Sequence, residues 1–137
     1  MTRDIQPFAK HDATPELAPG VEGVAIAVSS PPSALSSKML HGICRASEQT
    51  TQQLADTILH NVTIVGTFGP DLVPFAFPLI RDQVVFAEDV HKEGGYQTAF
   101  YNIDLSTCGL PPYQNPYFVL AAFHTFLSET IRFDWSK

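Results

Sequence analysis

Glu129–Trp135 reads ETIRFDW, and its period of two points to the fold class. Ile131, Phe133 and Trp135 fall on one side, and Thr130, Arg132 and Asp134 on the other. A half-buried β-strand is written this way, because successive side chains leave opposite faces of the pleat. Two aromatic-rich runs precede it, Tyr96–Leu105 and Tyr117–Thr125, separated by a Gly/Pro loop. The chain is expected to be folded β-structure up to its last residues, without a disordered tail.

The same period recurs upstream. Asn61–Phe68 sets Val62, Ile64, Gly66 and Phe68 against Asn61, Thr63, Val65 and Thr67, and Gly69-Pro70-Asp71 supplies a turn. In Leu72–Ile80 the apolar face is Val73, Phe75, Phe77 and Leu79. Pro74 and Pro78 take the opposite phase, and two residues without an N–H mark an edge or bulged strand. Arg81-Asp82 turns into Gln83–Val90, and a charged tip, Glu88–Gly95, leads into Tyr96–Leu105 as a hairpin with Gly94-Gly95 at its bend. Val21–Ser29 is a strand with Val24, Ile26 and Val28 on one face. Its other face carries Gly23, Ala25 and Ala27, where something must approach closely. Pro31 and Pro32 stop it, and Lys38–Ala46 is a second strand.

One stretch is helical. Ser47–Leu59 has Thr50 and Gln53 at capping-box spacing, a stripe of Leu54, Ala55, Ile58 and Leu59, and Asn61 where a C-terminal cap belongs. Seven or eight short strands with one helix near 48–59 predict an all-β, mainly antiparallel fold. A β-sandwich is expected over a closed barrel, since the prolines mark an open edge. Residues 1–20, with Pro7, Pro15 and Pro19, read as a leader lying on the domain or partly disordered, and 21–137 as one domain.

Composition narrows the function classes. Among 137 residues, 16% are charged, well under the roughly 25% usual for soluble domains, so apolar surface is expected to remain for a partner or ligand. Lys+Arg 8 against Asp+Glu 14 gives −6, and the cations are scattered, which argues against nucleic acid and against an anionic membrane surface. Met1–Gly20 lacks the apolar core of a secretory signal. Cys44 and Cys108 are too few for a disulfide framework, so a cytoplasmic chain with reduced thiols is expected.

No nucleophile, base and orienting acid stand close together along the chain. His124 ends an apolar strand in phase with Phe118, Leu120 and Ala122, so it either faces the interior, where a desolvated imidazole can act as a base, or ends the strand with its polar tip in water. Tyr101, Asp104 and Asp134 are its candidate catalytic partners. Phe100, Tyr117, Phe118, Trp135 and His41 are candidate ligand-binding residues, since both phases of the aromatic runs are large. His41 and Cys44 form a lone His-x-x-Cys whose members point to opposite strand faces, so Cys44 reads as a packed, inert thiol and Cys108, in a loop, as the accessible one. The acidic tip Glu88–Glu93 matches no calcium-loop spacing, and neither a metal site nor a cofactor is expected. Leu110–Pro116 reads as a rigid cross-connection between sheets.

Two hypotheses follow from this reading. The first is a non-catalytic binding module, homo-oligomeric or held by a protein partner through an aromatic outer face. The second is a small cofactor-independent isomerase, cyclase or lyase acting on an apolar small molecule, with His124 as base.

Overall fold

A computed structural model describes residues 14–30, 38–54, 58–79, 85–87 and 91–135. Expectations for residues 1–13, Pro31-Pro32, Ala55, Arg81-Asp82 and Glu88–Val90 fall outside that range.

Two antiparallel sheets pack face to face. The first has strand order β1 (Gly23–Ser29), β2 (Met39–Ser47), β7 (Tyr96–Asp104) and β5 (Val85–Ala87), with β6 (His91–Glu93) also on β7. The second runs β10 (Ile131–Phe133), β8 (Tyr117–Phe123), β3 (Val62–Phe68) and β4 (Val73–Pro78), with β9 (Phe126–Leu127) also on β8. This is an all-β sandwich, as the two-residue period predicts, and its sheets remain open at their edges. The chain changes sheet between β2 and β3, between β4 and β5, and between β7 and β8; the last crossing includes the Leu110–Pro116 loop.

The apolar phases named from sequence for β1, β3 and β4 face inward, but β8 presents Tyr117, Val119, Ala121 and Phe123 to the core and turns Phe118, Leu120 and Ala122 outward. Val24 and Ile26 of β1, Leu40 and Cys44 of β2, and Ala99, Tyr101 and Ile103 of β7 meet Val62, Ile64, Phe77, Val119, Ala121 and Phe123 of the second sheet in one buried core. Each fully buried aliphatic side chain contributes about 1.5–3 kcal/mol to folding. The β6–β7 hairpin turns through Gly94-Gly95, both with positive φ (59° and 82°), a conformation that glycine adopts without steric cost.

β4 lies at the edge of the second sheet, as its prolines require. Leu79 donates its N–H to the Val62 carbonyl. Residues in that phase therefore bond to β3, and the N–H groups that Pro74 and Pro78 lack would have lain on the open side.

Three expectations need correction. The helix α1 spans only Glu48–Gln53, and its N-cap is Ser47, whose hydroxyl accepts from Thr50 N–H, not Thr50 itself. It closes at Leu54, and Ile58–Asn61 forms a separate 3₁₀ turn, so Asn61 is not its cap. Tyr117–Thr125 is not one strand, because β8 reverses at His124-Thr125 and β9 folds back with Phe126 opposite Phe123. Of the strand expected over Gln83–Val90, the described residues form β5 as expected.

The leader is fastened where it is described. Arg45, on the outer face of β2, donates from Nη1 to the carbonyls of Leu17, Ala18 and Val21, and from Nε to Thr98 Oγ1 across on β7. Residues 17–21 thus lie over one end of the first sheet.

Candidate functional site

The two outer faces differ in kind. On the first sheet, Ile43, His41 and Asn102 all belong to the outward phase, opposite Cys44, Gly42 and Ile103, yet they are 2%, 0% and 2% exposed. These three side chains are buried within the chain itself, while Ala25, Ala27, Ser29, Arg45, Thr98 and Phe100 on the same face are half-buried. Large residues on both phases of β7 are thereby accounted for without a partner at that sheet.

The outer face of the second sheet is open. Pairing of β8, β3 and β4 lays out three rows: Ala122, Thr63 and Pro78; Leu120, Val65 and Ala76; Phe118, Thr67 and Pro74. None of the nine is charged. Those of β8 and β3 are half-buried, and those of β4 are exposed. Leu127, opposite Ala122, extends the first row and is 69% exposed, while Arg132, opposite Phe118, closes the third row with a charge. Strands about 4.8 Å apart and same-face residues about 6.8 Å apart give this field roughly 300 Å². The largest apolar patch of an ordinary monomer is of this size, and such patches are often functional.

Beneath the cover of the first sheet lies a line of three polar side chains. Ser29 ends β1, His41 sits in β2 and Asn102 in β7, all on the outward phase. His41 Nδ1 is 2.7 Å from Asn102 Oδ1, and His41 Nε2 is 2.6 Å from Ser29 Oγ. An amide oxygen only accepts, so Nδ1 carries the proton and Nε2 is left as acceptor for the Ser29 hydroxyl. One residue further on, Lys38 Nζ donates to Ser30 Oγ at 2.5 Å. Separations of 12 and 61 residues kept this line out of any reading based on local spacing; the register of β1, β2 and β7 brings it together.

The residues singled out from sequence do not converge. His124 is exposed, not inward-facing, because the interior phase of β8 is Tyr117, Val119, Ala121 and Phe123, and His124 lies in the turn beyond them with φ 54°. It interacts electrostatically with Glu22, whose carboxylate accepts from Ser47 N–H at 2.7 Å. That backbone hydrogen bond, with His124 adding to it, holds the Glu22 carboxyl below its usual range. Asp134 follows the β10 residue paired with Tyr117, at the other end of β8, roughly 20 Å away. Asp104 lies at the far end of β7 from Tyr96 and Ser47, and accepts from Ser106 N–H and Oγ. Tyr101 is fully buried in the core, and its hydroxyl has no hydrogen-bond partner among the described residues.

The proposed ligand contacts scatter likewise. Tyr117 and Trp135 are buried in the core, their rings 5.7 Å apart, with the Trp135 N–H and carbonyl held by Asn115. The Tyr117 hydroxyl donates to the Pro111 carbonyl and accepts from Gln114 N–H. Phe118 stands on the open outer face, Phe100 on the opposite sheet, and His41 in the polar line.

Cys44 is buried and Cys108 half-buried, in the order expected. Burial pushes the Cys44 thiol up to about 12, which makes it a poor nucleophile. Among the described residues no group of three His, Cys, Asp or Glu is placed to hold a metal ion. One surface groove of about 450 Å³ is lined by Glu48, Thr51, Gln52, Gly94, Gly95, Tyr96 and Gln97. A neighbouring one, about 480 Å³, runs past Leu17, Arg45 and Thr98, and His124 lines neither. No described helix is long and apolar enough to cross a membrane.

No protein-family model, curated protein or solved structure matches this chain.

Proposed function

We infer that this chain is a binding module that works by face-to-face association, and that its first partner is a second copy of itself. One observation carries the reading: the outer face of β3, β4 and β8 carries no charged residue and is exposed along β4, while the corresponding face of the other sheet buries Ile43, His41 and Asn102 within the chain. The net charge of −6 opposes association of copies in any orientation, and opposes it least across a charge-free patch. The prolines of β4 oppose association through that edge. Specific interfaces bury about 800 Å² per partner, so a field of roughly 300 Å² supports a reversible dimer and not an obligate one.

Sedimentation velocity over a concentration series tests this directly. The chain is expected to show a concentration-dependent shift from 15.0 kDa toward twice that mass. Val65→Lys and Leu120→Lys are expected to abolish the shift with no loss of melting temperature, since both side chains face outward. A strictly monomeric chain at millimolar concentration, or a dimer untouched by both lysines, would sink the reading. Monomeric behaviour with capture of a different protein through Leu120 would replace the second copy as occupant.

A further inference from the structure

We propose that Ser29 is the nucleophile of an acyl-transfer site that hydrolyses small carboxylic esters, with His41 as its general base and Asn102 holding the base in place. This site lies on the sheet opposite the association face and is independent of it. The roles follow from the line of contacts. Asn102 Oδ1 accepts from His41 Nδ1 at 2.7 Å, which fixes the imidazole's orientation and tautomer. Nε2 then accepts from Ser29 Oγ, 2.6 Å away, at the distance needed to take its proton. His41 is fully buried and Ser29 partly exposed, so a substrate meets the hydroxyl while the base stays shielded from bulk water.

The strand shapes what can approach. Ala25 and Ala27 precede Ser29 on the same face of β1 and present only methyl groups. A short acyl chain can lie along them with its carbonyl carbon over Oγ. Lys38 Nζ, tied to Ser30 Oγ, brings a positive charge to the residue that follows the nucleophile.

The step balances with water as the only co-reactant. Ser29 Oγ bonds to the acyl carbon as its proton passes to His41 Nε2, and Asn102 keeps accepting from Nδ1. The tetrahedral adduct collapses, the bond to the alcohol oxygen breaks, and the alcohol leaves with the proton from Nε2. Water then attacks the acyl-serine, giving its proton to Nε2, and the carboxylic acid departs as Oγ is reprotonated. An asparagine orients the imidazole but adds no negative charge to steady the imidazolium, so turnover is expected to be slow and covalent capture to be the sharper readout.

The test is labelling of the folded chain with a fluorophosphonate ester, followed by peptide mass mapping. The expected result is one adduct per chain, on Ser29, forming at least about a hundredfold faster than on Ser30 or on the urea-unfolded chain. Ser29→Ala should abolish the adduct and Ser30→Ala should not. His41→Gln should slow it by a similar factor while circular dichroism stays unchanged. If that variant does not fold, the Ser29-to-Ser30 rate ratio in the native chain decides alone. Absence of a Ser29 adduct, or a Ser29 rate no greater than that of Ser30, would overturn the proposal and leave the three residues as a structural tie between strands.

Discussion

Gly42 and Tyr101 face each other across β2 and β7, and the pair depends on a missing side chain. A Cβ at position 42 would fall 2.0 Å from Tyr101 Cζ, so the tyrosine ring lies flat over bare backbone. Gly42→Ala is expected to cost about 1–3 kcal/mol in urea unfolding, the range for overpacking a filled core. Tyr101→Phe has the opposite expectation. It removes a buried hydroxyl with no partner among the described residues, a group whose desolvation costs about 1–3 kcal/mol, so the variant should equal or exceed the parent in stability. Neither contact is visible in the sequence, because Gly42 and Tyr101 lie 59 positions apart and are matched only by strand register.

Alkaline pH acts on the same cluster. Burial raises the Cys44 thiol from 9.0 to about 12 and raises the Tyr101 phenol well above 10.0. A group whose folded pKa lies above its unfolded value contributes stability that is present below the unfolded value and is lost as pH climbs toward the folded one. The unfolding midpoint should hold to about pH 9 and then decline steadily toward pH 12. Chain carrying Tyr101→Phe should decline less steeply above pH 10. A flat midpoint across that window would contradict the placement of both groups.

Among the elements, β4 joins sequence to behaviour most plainly. Of its outward-edge residues Pro74, Ala76 and Pro78, only Ala76 retains an N–H. Edge strands with a full row of donors template pairing with other chains, and proline removes that row at its source. Pro74→Thr with Pro78→Thr should leave the β3 ladder intact yet promote edge-to-edge assembly, read as light scattering on warming. Unchanged scattering would mean that some other feature guards the edge.

Period-two reading succeeded for the elements whose one face is wet or open, such as β3, β4 and β10. It failed where local cues misled. Thr50 and Gln53 imitate a capping box, but Ser47 already caps the helix three residues earlier. His124-Thr125 carries no glycine, asparagine or proline, so nothing in its composition announced the reversal that pushes His124 outward. In β7 both phases are large because both faces are covered, and that covering is set by distant segments.

For the whole molecule the decisive fact is the unequal treatment of its two outer faces. The first sheet hides Ile43, His41 and Asn102 under its own chain, and residues 17–21 are pinned beside them by Arg45. The second leaves Leu120, Val65 and their neighbours open. Low overall charge hinted at spare apolar surface, and the aromatic runs hinted at a covered face, yet the sequence did not say which sheet would carry which. Only the crossing pattern assigns them.

The association face is tested most directly by inter-chain methyl contacts in a mixed sample of isotope-labelled and unlabelled chains at millimolar concentration. Nuclear Overhauser effects between copies should connect the methyls of Val65, Leu120, Ala122 and Leu127 and should disappear on dilution. Inter-chain contacts arising instead from Ala25 and Ala27 of β1, or none at any concentration, would contradict a meeting of copies across β3, β4 and β8.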